Sequence, residues 1–116
     1  MSENIKLLVY PAKDLNAGKA FFNTFLGVEP YVDGAYYVGY KVNELEIGLD
    51  PNGQAIIAYI EVQDVKESLQ TLLDSGASTY QDVKDVGGGM LIAQVKDTNG
   101  NFLGLRQRLD KRTFMF

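Results

Sequence analysis

The chain has 116 residues, 46% of them hydrophobic and 22% charged, an ordinary globular composition and enough length to bury a core without crosslinks. It contains no His and no Cys, which removes disulfides, thiolate nucleophiles, zinc–sulfur sites and the commonest general base. The net charge is −4 and the one basic cluster, Arg106, Arg108, Lys111 and Arg112, is diluted by Asp110, so no nucleic-acid partner is expected.

Residues 5–10 are β-branched and aliphatic and read as a strand that Pro11 stops. The run is far too short for a signal-peptide core or a membrane span, so the expected setting is cytoplasmic with no membrane partner. Asp14 is placed to cap a helix over 15–25, whose apolar stripe is Leu15, Phe21, Phe22, Phe25 and Leu26, and Gly27 closes it. Short strands follow at 30–32 and 36–42, joined through the turn signal Asp33-Gly34. After a turn at Asn43-Glu44, Leu45, Ile47 and Leu49 alternate with Glu46, Gly48 and Asp50, the signature of a one-sided strand.

Asp50-Pro51-Asn52-Gly53 is the only strong mid-chain break. Residues 55–62 are almost wholly apolar and predict a strand covered on both faces. Asp64 repeats the cap, Val65, Leu69, Leu72 and Leu73 the stripe, and Gly76 the stop. A weak strand at 79–83, a flexible Gly87-Gly88-Gly89 turn, a strand at 90–95, an Asp97-Thr98-Asn99-Gly100 turn and a last strand at 102–108 complete the chain. The order is βαβββ twice. This predicts a single α+β domain over 1–116, with module one at about 4–51, module two at about 54–108 and a tail at 109–116.

That order resembles the glyoxalase/bleomycin resistance/extradiol dioxygenase superfamily, the vicinal oxygen chelate proteins. Three stretches carry the resemblance: Asp14-Leu15 with Phe21-Phe22 and Leu26-Gly27, then Glu61-Val62-Gln63-Asp64-Val65, then Asp97-Thr98-Asn99-Gly100-Asn101. It covers roughly residues 4–108 and implies two βαβββ modules forming a cupped mixed sheet. It also implies a divalent metal held by four inner-face residues, one from the first and one from the last strand of each module. Transferred to this chain, those positions are Leu7, Gly48, Ile57 and Gly104, none of which can coordinate a metal. The expectation is therefore no metal and no cofactor.

Side chains alternate along strands, so residues sharing parity with those four should line one face. Leu7, Val9, Glu46, Gly48, Ile57, Tyr59, Glu61, Phe102, Gly104 and Arg106 make up the candidate ligand site, mostly apolar with a few polar groups. The opposite row, Leu45, Ile47, Leu49, Ile60, Leu103 and Leu105 among others, is uniformly apolar and suits packing against helices. Gly48 and Gly104 are expected to leave open volume, so that Gly104→Leu would fill the cup without unfolding the chain. No catalytic residue is assigned.

Three functions compete. The first is metal-free sequestration of an apolar or aromatic small molecule, as in the bleomycin-resistance branch. The second is a lyase or isomerase using Glu46 or Glu61 as base, or an atypical metal site. The third is an interaction module whose cup has filled in. The missing ligand quartet favours the first and third. A homodimer is expected, because exposed sheet edges and aromatic surface are commonly covered by pairing. The tail residues Phe114, Met115 and Phe116 would gain by docking.

Overall fold

The structure, a computed structural model, describes residues 4–109; the expectations for the tail residues Lys111, Arg112, Phe114, Met115 and Phe116 lie outside that range. By contact the chain divides after Ala58, with Asn4 grouped with the second unit. The first unit holds β1 (Ile5–Pro11), α1 (Leu15–Leu26), β2 (Val32–Asp33), β3 (Val38–Val42) and β4 (Leu45–Asp50). The second holds most of β5 (Ile57–Glu61), then α2 (Val65–Asp74), β6 (Ser78–Gly87), β7 (Met90–Lys96) and β8 (Phe102–Arg108). The fold class is α+β, with two βαβββ modules, as the sequence predicts.

Each module has the same internal order. In the first, the strands run β2-β3-β4-β1, with β1 parallel to β4 and the other pairs antiparallel. In the second they run β5-β8-β7-β6, with β5 parallel to β8. A parallel pair between the first and last strand of a module requires a crossover, and the helix and two intervening strands supply it.

The helices start where the sequence places their caps. Asp14 is extended and accepts a hydrogen bond from the Ala17 amide at 3.0 Å. Gly27 ends α1 in the left-handed region, φ 71°, and its amide reaches the Asn23 carbonyl. Asp64 accepts from the Lys66 and Glu67 amides. The apolar parity row lies under the helices as expected. Leu15, Phe22 and Leu26 of α1 pack with Leu8 and Tyr10 over Val38, Tyr40, Ile47 and Leu49. Val65 and Leu69 of α2 pack on Ala93, Val95 and Leu105. Tyr40 is fully buried and donates its hydroxyl to Asn23 Oδ1. Burial raises its pKa above the ordinary phenol value, and the Lys19 charge acts in the opposite direction.

Several elements differ from expectation: the strand expected at 30–32 is Val32–Asp33, and Phe21 and Phe25, expected in the apolar stripe of α1, are exposed because Leu15, Phe22 and Leu26 alone face the sheet. The weak strand at 79–83 is a ten-residue strand, because β6 borrows its regularity from antiparallel pairing with β7, with register shifts along it. The strand expected from 36 begins at Val38, since Gly34 donates to the Tyr37 carbonyl and holds Tyr36 and Tyr37 in the turn. The run 55–62, expected to be covered on both faces, is a strand only over Ile57–Glu61, and Ile56 is exposed. Its apolar composition reflects the turn before it as well as the strand. Among the described residues no helix is long and apolar enough to cross a membrane.

Candidate functional site

Each module has a face turned away from its helix, and the ten residues nominated from sequence share the parity of that face. In the first module β1 and β4 pair Leu7 with Glu46 and Val9 with Gly48, and β3 places Gly39 opposite Gly48. Neither glycine has a positive φ, so backbone strain does not explain them. Space does. A Cβ at position 48 would lie within 2.9 Å of three Tyr37 atoms, and one at 39 would lie 3.3 Å from both the Tyr31 and Tyr37 rings. Tyr37 thus lies across two adjacent strands on a floor of facing glycines. Tyr31, half exposed, donates its hydroxyl to Glu46 Oε1 at 2.5 Å, and Lys41 Nζ sits 4.8 Å from its ring centroid.

The second module repeats the device with a different tyrosine. Tyr59 on β5 pairs with Gly104 on β8, and Gly104 pairs with Gln94 on β7. A Cβ on Gly104 would lie within 2.7 Å of three Tyr59 ring atoms. The ring crosses the bare strand and its hydroxyl accepts from Gln94 Nε2 at 2.6 Å. Two residues along, on the same face, Glu61 faces Arg106. Arg106 is 5% exposed and donates from Nε and Nη2 to Glu61 Oε2 at 3.1 and 2.9 Å. Arg108 Nε stands 3.5 Å from Glu61 Oε1. Both oxygens of Glu61 are therefore engaged by guanidinium groups. At the other end of the face Tyr80 and Phe102 meet edge to face at 4.8 Å, with Lys96 Nζ 5.0 Å from the Phe102 centroid.

The open volume expected at Gly48 and Gly104 is absent, because Tyr37 and Tyr59 occupy it. Leu7, Val9, Gly48, Tyr59, Gly104 and Arg106 are all buried, while Glu46, Ile57, Glu61 and Phe102 keep partial exposure. Tyr37, Tyr31, Gln94 and Lys96 were not nominated. The facing pair Gly39–Gly48 was the available signal for the first two, since two small residues side by side on a sheet face make a floor for a ring. Two surface depressions, of about 420 and 450 Å³, lie beside α1 and α2 respectively, and none of the ten nominated residues lines either.

The donor set does not fit a metal. The four implied positions are Leu7, Gly48, Ile57 and Gly104, and tyrosine side chains fill the space over both glycines. Among the described residues no three carboxylates converge. Nor is an unsatisfied group left waiting for a ligand: no buried side-chain nitrogen or oxygen among them lacks a hydrogen-bond partner.

No protein-family model and no curated protein matches the sequence. Solved structures do match. One is a glyoxalase/bleomycin resistance protein/dioxygenase superfamily member from Vibrio splendidus 12B01, with TM-score 0.69, 17% identity, and coverage of 91% of this chain and 98% of that one. A variant of Streptomyces coelicolor methylmalonyl-CoA epimerase in complex with 2-nitronate-propionyl-CoA matches at TM-score 0.75 and 16% identity, covering 93% and 99%. The Mn(II)-bound glyoxalase from Novosphingobium aromaticivorans matches at 0.72 and 18%, covering 93% of this chain and 39% of that one. Identities this low speak for backbone architecture alone, and on that ground the chain has the glyoxalase/bleomycin resistance fold.

Proposed function

We propose that this protein binds a small, partly aromatic molecule without using a metal, and does not transform it. The observation that carries the reading is the replacement of the fold's metal positions by Leu7, Gly48, Ile57 and Gly104, with tyrosine rings over both glycines. The fold's enzymes include an epimerase and a manganese glyoxalase, but the groups such chemistry would need here are committed elsewhere. Glu61 is engaged by two arginines, and Glu46 accepts the Tyr31 hydroxyl.

The aromatic surface still open to a ligand in the second module is the Tyr80–Phe102 corner beside Lys96. A ring could stack on that corner, and an acidic end would lie near the Lys96 ammonium. This favours an aromatic carboxylate or a similar amphipathic molecule. Thermal shift against a panel of aromatic acids and their neutral esters tests it. Stabilisation by the acids that disappears in both Phe102→Ala and Lys96→Ala is the expected result. Shifts that survive both replacements would place the site elsewhere.

One observation favours a second reading, a module whose sheet face has filled in and which serves only a protein partner. Six of the ten nominated residues are buried, Tyr59 among them, and the partly buried Tyr37 covers Gly48. A panel that yields no ligand at all, together with a stable fold, supports this reading over the first.

A further inference from the structure

The two modules repeat one helix in two different surfaces. The outward residues of α2 are Lys66, Glu67, Gln70, Thr71 and Asp74, a solvated face. Those of α1 are Asn16, Ala17, Ala20, Phe21, Thr24 and Phe25, with no charge among them. The only charged residue of α1, Lys19, turns aside to pair with Asp33 at 3.0 Å. Phe21 is 63% and Phe25 74% exposed, and their rings stack on each other with centroids 6.2 Å apart. Val28, just past the helix, is exposed as well. Phe22 and Leu26 already serve the core, so Phe21 and Phe25 have no inward role. A helix with an uncharged outward face and two exposed rings is a covered helix lacking its cover.

We infer that the Ala17–Phe21–Phe25 stripe of α1 is a homodimer interface that packs against the same stripe of a second copy. The occupant follows from the pattern. In an antiparallel pair related by a twofold axis at Phe21, position 17 faces position 25 of the partner copy. Ala17 then receives Phe25 and Phe25 covers Ala17, so each large residue meets a small one, and the Phe21 rings meet at the axis. The stripe is complementary to itself. The lack of charge also fits a self-contact, since a chain of net charge −4 repels its own copies everywhere that carboxylates dominate.

The area is sufficient. A Phe buries roughly 150–250 Å² in full, so two rings at these exposures and Val28 offer roughly 250–400 Å² of apolar surface per copy. An interface at the lower end of the stable range needs about 600 Å² per partner, a little over half of it apolar. The stripe supplies that apolar part, and flanking polar residues can supply the rest.

The test is the solution mass at tens of micromolar, by light scattering on the full chain. Wild type is expected near twice its 12.8 kDa. Phe21→Glu with Phe25→Glu is expected to give a folded monomer whose melting temperature no longer rises with protein concentration, as that of the dimer does. If that variant fails to fold, Ala17→Glu places a charge on the same stripe without removing a ring, and it too is expected to give the monomer. Phe114→Glu with Phe116→Glu in the tail is expected to leave the dimer intact. A monomeric wild type overturns the inference. So does a dimer that survives the charged variants of α1, or one that the tail variant alone dissociates.

Discussion

Adding one methyl group at Gly104 should destabilise the protein, and removing a ring from its neighbour should reverse the sign. A Cβ there would lie within 2.7 Å of three Tyr59 ring atoms, well inside contact distance. Tyr59 cannot move aside freely, because its hydroxyl is tied to Gln94 and the residue is 6% exposed. Overpacking of this kind costs about 1–3 kcal/mol. Tyr59→Ala alone forfeits a buried ring, about 3–5 kcal/mol by analogy with other aromatic truncations. Once the ring is gone, position 104 is an ordinary extended residue with no positive φ. Alanine there narrows the unfolded ensemble and becomes stabilising by about 0.4–1 kcal/mol. The double-mutant cycle should therefore return a coupling of about 1.4–4 kcal/mol, with the double variant more stable than Tyr59→Ala alone. Urea denaturation of the four proteins measures it. Additive costs would mean that the ring and the glycine do not share the space, and the account of a tyrosine-filled face would fail.

Further outcomes follow from the same geometry. Gly48→Ala should lose stability by a similar 1–3 kcal/mol, since Tyr37 occupies the space above it, and thermal melts should recover most of the loss in Tyr37→Ala with Gly48→Ala. Glu61→Gln leaves the buried Arg106 guanidinium with one fewer charged partner and should cost about 1–3 kcal/mol, whereas Glu61→Leu with Arg106→Met should cost less than the single change; chemical denaturation compares them. Asp97 is held below the ordinary carboxylate range chiefly by the Asn101 amide, so its folded pKa lies below its unfolded value of about 3.8. Its contribution is therefore full above that value and declines as pH falls through the lowered one. The gap in melting temperature between wild type and Asp97→Ala should be widest at neutral pH and shrink below pH 3.8.

Much of the architecture could be read from residues alone. The capping aspartates Asp14 and Asp64, the stop at Gly27 and the alternation through Leu45, Ile47 and Leu49 each obey a local rule, and each is found where the rule puts it. Strand parity also sorted the faces correctly, because alternation survives any tertiary context that keeps one face buried. Strand limits were less legible. The length of β6 comes from its partner β7 and not from its own sequence, and no local pattern encodes a partner. The expectation of open volume at Gly48 and Gly104 fails at a single physical step. Glycine was read as vacancy, but a glycine beside a tyrosine on the next strand is a seat for the ring. Tyr59 fills the space at Gly104. The pairing that reveals this, Tyr59 with Gly104 and Gly104 with Gln94, depends on a register that sequence parity leaves undefined by two residues in either direction.

We propose that side-chain packing takes the place of a metal centre in this chain. Calorimetric titration of the metal-stripped protein with manganese, nickel and zinc, together with elemental analysis of the protein as purified, addresses it most directly. No stoichiometric metal, no saturable binding heat and a melting temperature indifferent to chelator are expected. One metal bound per chain, released by chelator with loss of stability and restored on adding it back, would contradict it.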